Sequence, residues 1–275
     1  MKKQAFSVSK VLILTVLIIM SIFSLFPFIW MLLTSFKTNI QINTNFTEFF
    51  PNPWTLSGYI KAVTEAPFFK WFLNSLVVSV STTAIIVFTS TLCGFIFAKF
   101  DFKGKNLIFP LLLITMMIPS QVMMIPSFVV ITKLNLYNSI WSLVIPSMVN
   151  VFGIFLTKQF IEDLPDSICE AARLDGAGGF RIYTSIVLPN IKPAIGSLVI
   201  FTFLGKWNDY LTPLLYLNDT DRMTLPLALN FFASKNSTDL SATMAAASLI
   251  MIPVLVVFVI FQKQFIKGLA LSGMK

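Results

Sequence analysis

The sequence has no histidine and only two cysteines in 275 residues. Without histidine there is no imidazole acid–base chemistry, no Ser-His-Asp triad and little prospect of a zinc site. Cys93 falls inside an apolar run and Cys169 in a polar loop, so no structural disulfide is expected. Charge is scarce too. Asp, Glu, Lys and Arg make up 12% of the chain, about half the share of an ordinary soluble domain. A phosphate loop of the form G-x-x-x-x-G-K-[ST] is missing. GLALSGMK at 268–275 lacks a lysine directly after its second glycine, and GAGG at 176–179 reads as a turn with no strand before it. Any ATP therefore belongs to another chain. No catalytic residues, metal ligands, fixed-period repeats or low-complexity tracts are expected, and the chain is not read as an enzyme.

What is present is apolar. Hydrophobic residues make up 56% of the chain and Phe alone accounts for 29. Charge-free runs at 11–36, 71–98, 106–132, 134–157 and 240–262 each reach the roughly 20 residues that cross about 30 Å of hydrocarbon. A shorter run at 193–205 reads on through Lys206, Trp207, Asn208 and Asp209 into LTPLLYL. The expectation is an all-α, multi-pass membrane protein with six spanning helices, five uninterrupted and one broken. The first run is too long for a cleaved signal peptide and no A-x-A site follows it. Six crossings put both termini on one side. The segments around 1–10, 99–106, 158–192 and 263–275 carry most of the Lys and Arg, so that side is cytoplasmic. The net charge of +8 is this topology signal and calls for a lipid bilayer, not nucleic acid.

The second run holds SVSTTAIIVFTST, whose small and hydroxyl side chains allow close helix approach. Prolines 119 and 126 in the third run, 146 in the fourth, 213 near the end of the fifth and 253 in the sixth predict kinks. Polar residues that suit a solute path are Asn74, Thr82, Thr83, Gln121, Asn150, Asn208 and Asp209. At mid-depth Asp209 would cost about 2.5–3.5 kcal/mol; if the fifth helix ends near 205 it is interfacial instead. Trp207 and Tyr210 suit an aromatic belt, or stacking on a sugar.

One polar stretch interrupts the grease: EAARLDGAGGFRIYTSIVLP at 170–189. Ser167 and Glu170 fit a capping box, so a helix should begin near Ser167. Gly176 can end it in the left-handed conformation. A second short helix should start near Phe180, with Phe180, Tyr183, Ile186 and Val187 on one stripe. Pro189 and Pro193 should break it. The result is a folded knob with a small-residue edge at Ala171 and Ala172. It suits docking by another cytoplasmic protein, or folding back on its own bundle.

These residues carry a resemblance. Glu170-Ala171-Ala172, then Gly176, then Ile186-x-Leu188-Pro189 is similar, spacing by spacing, to the EAA loop of ABC importer permeases. LDGAG (174–178), LPNIKPAI (188–195), KWNDYLTPLLYL (206–217), FAKFDFKGK (97–105) and the tail QKQFIKGLALSGMK (262–275) resemble the maltose-type, binding-protein-dependent carbohydrate subgroup. The resemblance runs from about 71 to the end. It implies a type I importer permease fold: a first helix and outward loop at 1–70, a core at 71–265 with the EAA loop at 160–190, and a cytoplasmic tail at 266–275. It implies that Glu170, Ala171, Ala172, Asp175, Gly176, Phe180, Ile186, Leu188 and Pro189 dock an ABC ATPase, which binds ATP and magnesium. It also implies a sister permease chain in a heterodimeric pore, an extracytoplasmic sugar-binding protein touching the loop around 217–241, and a tail that meets the ATPases. The alternatives are an ion-gradient-driven secondary carrier and a non-transporting scaffold.

Overall fold

The computed structural model describes residues 8–45, 47–229 and 239–272. Among them there is no strand; every regular element is a helix. The chain forms two compact units, one from Met1–Phe68 and Leu229–Met251, the other from Phe69–Ala228 and Ile252–Lys275.

The first unit contains α1 (Val8–Ser35), α2 (Asn39–Thr44) and α3 (Ser57–Thr64). α1 is apolar on nearly all sides, and its most apolar stretch is not buried within the chain, although Thr34 and Ser35 at its end are. Such a helix is solvated by lipid or by another chain. Polar bonds organise the segment after it. Lys37 is buried with its ammonium on the Glu48 carbonyl and 4.9 Å from the centre of the Trp30 ring. Gln41 donates to Glu48 Oε2 at 2.8 Å and accepts from Asn52 N at 3.0 Å. Lys61 pairs with Asp239 at 2.6 Å. Burial alone would raise the Asp239 carboxyl, but the bonds from Lys61, Ala242 N and Asn39 outweigh it and hold it below the usual carboxylate range.

The second unit is built on α4 (Phe68–Lys99). Its hydroxyl residues Ser79, Thr82, Ser90 and Thr91 are buried. Ser90 lies at a close crossing with the helix that carries Thr157. Thr157 Oγ1 donates to Ser90 O at 2.8 Å, and a side chain at Gly94 would run into Thr157 Oγ1 and, at 2.9 Å, Lys158 N. Small residues let the backbones meet, as in many membrane helix pairs.

The later helices are shorter than the apolar runs suggest. The third run is two helices, α5 (Lys105–Thr115) and α6 (Met124–Lys133), joined by turns at 116–123. Pro119 does not kink a helix; it sits in that gap. Pro126 sits in the first turn of α6, where its missing N–H has no intrahelical partner to lose. The fourth run is α7 (Trp141–Val144), a 3₁₀ turn at Ile145–Ser147 and α8 (Val151–Glu162), bent by 43°. Asn150 caps α8, its Oδ1 accepting from Gly153 N at 2.7 Å. α9 (Asp166–Leu174) and α10 (Gly179–Ile182) form the polar stretch. A π-helical turn (Tyr183–Val187) and α11 (Leu188–Asn190) follow, then α12 (Lys192–Trp207) at 80° to the run before it. α13 (Leu211–Tyr216) and α14 (Leu240–Ser272) complete the chain. Three described helices are long and apolar enough to cross a membrane alone, and the two bent pairs bring that to five. The tail expected at 266–275 continues α14 as far as Ser272; 273–275, like 230–238 of the outward loop, lie outside the described residues.

Filling the α4–α8 crossing should destabilise the fold. Gly94→Val is expected to cost about 1–3 kcal/mol through overpacking, read as a lowered unfolding temperature of the detergent-purified protein. An unchanged transition would mean the two helices do not meet there.

Candidate functional site

The polar stretch folds as a two-armed knob. Its first arm, α9, begins at Asp166, one residue before the expected start. The capping box at Ser167 and Glu170 does not form: the N-cap position is Pro165, with no side-chain bond. Instead, the Asp166 carboxylate accepts from Lys99 Nζ at 2.6 Å, and the same ammonium donates to Leu164 O at 2.6 Å. Lys99 closes α4 and its side chain is only 5% exposed. The arm is thus riveted to α4. Its C-terminus behaves as expected. Gly176 has φ +82°; Ala177 N bonds Ala172 O at 2.9 Å and Gly176 N bonds Arg173 O at 3.0 Å. This is a Schellman stop, which needs a left-handed residue at Gly176.

The second arm corrects the expected stripe. Ile182, Tyr183 and Val187 are buried against Phe95, Ile161, Cys169, Ile191 and Ala194. Tyr183 Oη shares a 2.7 Å bond with Thr91 Oγ1, and its ring stacks on Phe95 with centroids 5.8 Å apart. Each such side chain contributes about 1.5–3 kcal/mol on burial. The stripe therefore anchors the knob to its own unit. Pro189 does not break the helix either. The π turn directly before it widens the ladder, so the run continues to Asn190 and turns at Ile191 (φ −99°, ψ 19°).

What remains outward is a short apolar pair on a polar base. Leu174 is 89% exposed and Phe180 68%. Glu170, Ala171, Asp175, Gly176 and Pro189 are also exposed, while Ala172, Ile186 and Leu188 are half-buried. A cleft of about 210 Å³ brings Ala172, Asp175 and Ile186 together with Ala177, Arg181 and Ser185. A second, polar cleft of about 240 Å³ is lined by Lys99, Asp101, Asp166, Cys169, Glu170 and Arg173. The hydrogen bond and charge of Lys99 hold the Asp166 carboxyl below its ordinary value.

The seven polar residues expected along a solute path are spread over four places in the fold. Asn74 binds the outward loop, donating to Asp221 O at 3.0 Å and Met223 O at 2.9 Å. Thr82 and Thr83 are buried with no partner for their hydroxyls. Gln121 is exposed in the turn between α5 and α6. Asn150 is the α8 cap. Asn208 and Asp209 lie in the break between α12 and α13, where Asp209 Oδ1 accepts from Thr212 N at 3.2 Å. Trp207 is fully buried, stacked on Phe203 at 5.6 Å, so neither a belt nor a sugar platform describes it.

Sequence reasoning overlooked Leu174, Lys99 and Lys206. Leu174 was legible as one of two large apolar residues, with Ile168, in a polar helix. Nothing in the spacing announced that Lys99 would reach 67 residues along the chain to Asp166.

Residues 90–270 match the family model described as "Binding-protein-dependent transport system inner membrane component". The arabinooligosaccharides transport system permease protein AraQ of Bacillus subtilis (strain 168) is 34% identical over 274 residues, covering 98% of this chain and 97% of that protein. The sn-glycerol-3-phosphate transport system permease protein UgpE of Shigella flexneri serotype 5b is 36% identical over 207 residues, 74% of each chain. The fold is similar to a chain in the crystal structure of a bacterial ABC transporter involved in import of the acidic polysaccharide alginate. The TM-score is 0.85 at 20% identity, over 96% of this chain and 100% of that one. A chain of a bacterial alginate ABC transporter in complex with alginate pentasaccharide-bound periplasmic protein aligns at TM-score 0.65 and 13% identity, over 92% and 94%.

Lys99→Met should loosen the first arm, so amide exchange across 164–176 is expected to speed up about tenfold while α4 stays protected; unchanged exchange would show that the Lys99–Asp166 bond holds nothing. The pH dependence has a definite sign. With its native value depressed, Asp166 contributes fully above the ordinary carboxylate range near about pH 4 and loses that contribution as pH falls below it. Protection of α9, corrected for intrinsic rates, should hold from neutrality to about pH 5 and then decline.

Proposed function

The chain belongs to the family of binding-protein-dependent transport system inner membrane components, and from that premise we propose that it is the membrane subunit of an ATP-driven carbohydrate importer, coupled through the α9–α11 knob to a separate ATPase. The carrying observation is the knob itself. It is anchored to its own unit by Tyr183 and Val187, stopped by Gly176, and presents Leu174 and Phe180 outward. An exposed Leu and Phe on a rigid, short helix pair match a helix-in-groove contact. Glu170, Ala171, Ala172, Asp175, Ile186, Leu188 and Pro189, on the same knob, belong to the docking face in this reading.

Within this reading α5, its following turns and α6 together make the third crossing, giving six, with both termini cytoplasmic. A sister permease completes the pore in a heterodimer. ATP and magnesium sit on the ATPase, whose closure swings the permeases between inward- and outward-open states. An extracytoplasmic binding protein delivers the solute; the binding-protein complex named for the alginate transporter supports this partner. The carbohydrate class is supported by the arabinooligosaccharide relative and the alginate transporters. The glycerol-phosphate relative widens the solutes this scaffold serves. Family membership supports this reading over the ion-gradient carrier.

Two variants test the coupling. Gly176→Val meets open space but forces a β-branched residue into the left-handed region, at about 1–2 kcal/mol. Glu170→Lys reverses a charge on the docking face. In proteoliposomes holding the full importer, both are expected to insert normally and to abolish ATP-coupled uptake. Normal uptake in both would remove the docking role.

A further inference from the structure

Two helix breaks in the second unit are joined by one charged side chain. α12 ends at Trp207 and α13 begins at Leu211; the 3₁₀ turn Ile145–Ser147 separates α7 from α8. Lys206 Nζ reaches across to Ser147 Oγ at 2.8 Å. Asp209 Oδ2 lies 3.9 Å from the same ammonium, and the two side chains are 22% and 21% exposed.

That separation is informative. Charge-assisted N–H···O⁻ bonds run at about 2.7–2.9 Å; Lys61–Asp239 and Lys99–Asp166 close to 2.6 Å, while the more exposed Arg222–Asp219 pair, also three residues apart, stands at 3.7 Å. The Lys206–Asp209 pair stays open although Lys206 sits in the last turn of α12 and Asp209 only two residues past its end. Ser147 occupies one of three ammonium donors, and Thr212 N occupies the other carboxylate oxygen, Oδ1. An oxygen placed in the gap would lie within hydrogen-bond reach of both charges. It would accept from Lys206 and donate to Asp209, which a hydroxyl does and a carboxylate does not. Ionisable groups within membrane segments face a cavity or a partner, and broken helices are where membrane transporters place their solute sites.

We propose that Lys206 and Asp209 clamp one hydroxyl of the transported solute, with Ser147 positioning Lys206. This rests on the importer reading above and narrows it to a neutral, polyhydroxylated solute at this point of the path. An anionic group would use Lys206 alone and be repelled by Asp209.

The test uses the complete importer in proteoliposomes at saturating binding protein. The probes are labelled neutral di- and trisaccharides, their singly deoxygenated analogues and their uronic-acid counterparts. Lys206→Met and Asp209→Asn are each expected to slow uptake of a neutral sugar by about 10- to 100-fold. One deoxy analogue should show a similar loss in the wild type and no further loss in the variants. Lys206→Arg should recover part of the rate. A non-additive cycle of this kind is what a contact gives and a merely structural role does not. Wild-type rates in an assembled Asp209→Asn importer would overturn the clamp. Asp209→Asn should carry the uronic sugars faster than the wild type does; wild-type uptake of the uronic sugars as fast as that of the neutral ones would overturn the neutral class. Loss of assembly in both Lys206→Met and Asp209→Asn would make the pair structural and overturn it too. A wild-type importer that carries no sugar would overturn the importer reading itself, and is told apart because no variant is involved.

Discussion

Backbone polar groups in hydrocarbon must find partners inside the protein, and the second unit is arranged around that constraint. Its chain is broken at 116–123, at the 145–150 turn, at Ile191 and at 208–210. Two of these breaks carry a side chain that takes over a freed donor: Asn150 on Gly153 N and Asp209 on Thr212 N. At Pro189 a π turn does the equivalent work by widening the ladder. The continuous α4, with its buried hydroxyl residues, is the post against which these broken elements pack.

The knob follows from the same economy. Its buried side is continuous with the unit, through Tyr183 on Thr91 and Phe95. Its polar side is tied by Lys99 to the end of α4. A force applied at Leu174 or Phe180 is therefore met by α4 directly, with the left-handed Gly176 setting the angle between the arms. The same α4 crosses α8 beside Gly94, and α8 follows the turn that holds Ser147. The proposed docking face and the proposed clamp are thus both linked to α4, and packed elements of this kind can carry coupling between distant sites.

Much of this was legible in the residues. Long apolar runs with uniform composition marked α1, α4 and α14, because length and hydropathy alone decide a spanning helix. The Gly176 stop was legible because few residues adopt that backbone conformation. The kink expected at Pro146 in the fourth run appears as the 43° bend at Ile145–Ser147, whereas the third run misled, since hydropathy is blind to where a proline-rich run such as MMIPSQVMMIPS stops being helical. The capping box failed because a distant lysine claimed Asp166, and such a pairing leaves no local pattern. The apolar stripe at Tyr183 and Val187 was real, but periodicity does not say whether a stripe faces its own unit or a partner. Lys206 escaped notice because a lysine near a helix end reads as interfacial until Ser147 is seen beside it.

The central claim is that the α9–α11 knob is where the ATPase engages. The most direct measurement is site-specific cross-linking in the assembled importer, with Cys93 and Cys169 replaced by serine and a single reactive cysteine introduced as Leu174→Cys or Phe180→Cys. Covalent attachment to the ATPase subunit, varying with nucleotide state, is the predicted result. Attachment only within this chain or to the sister permease, with the importer still active, would contradict it.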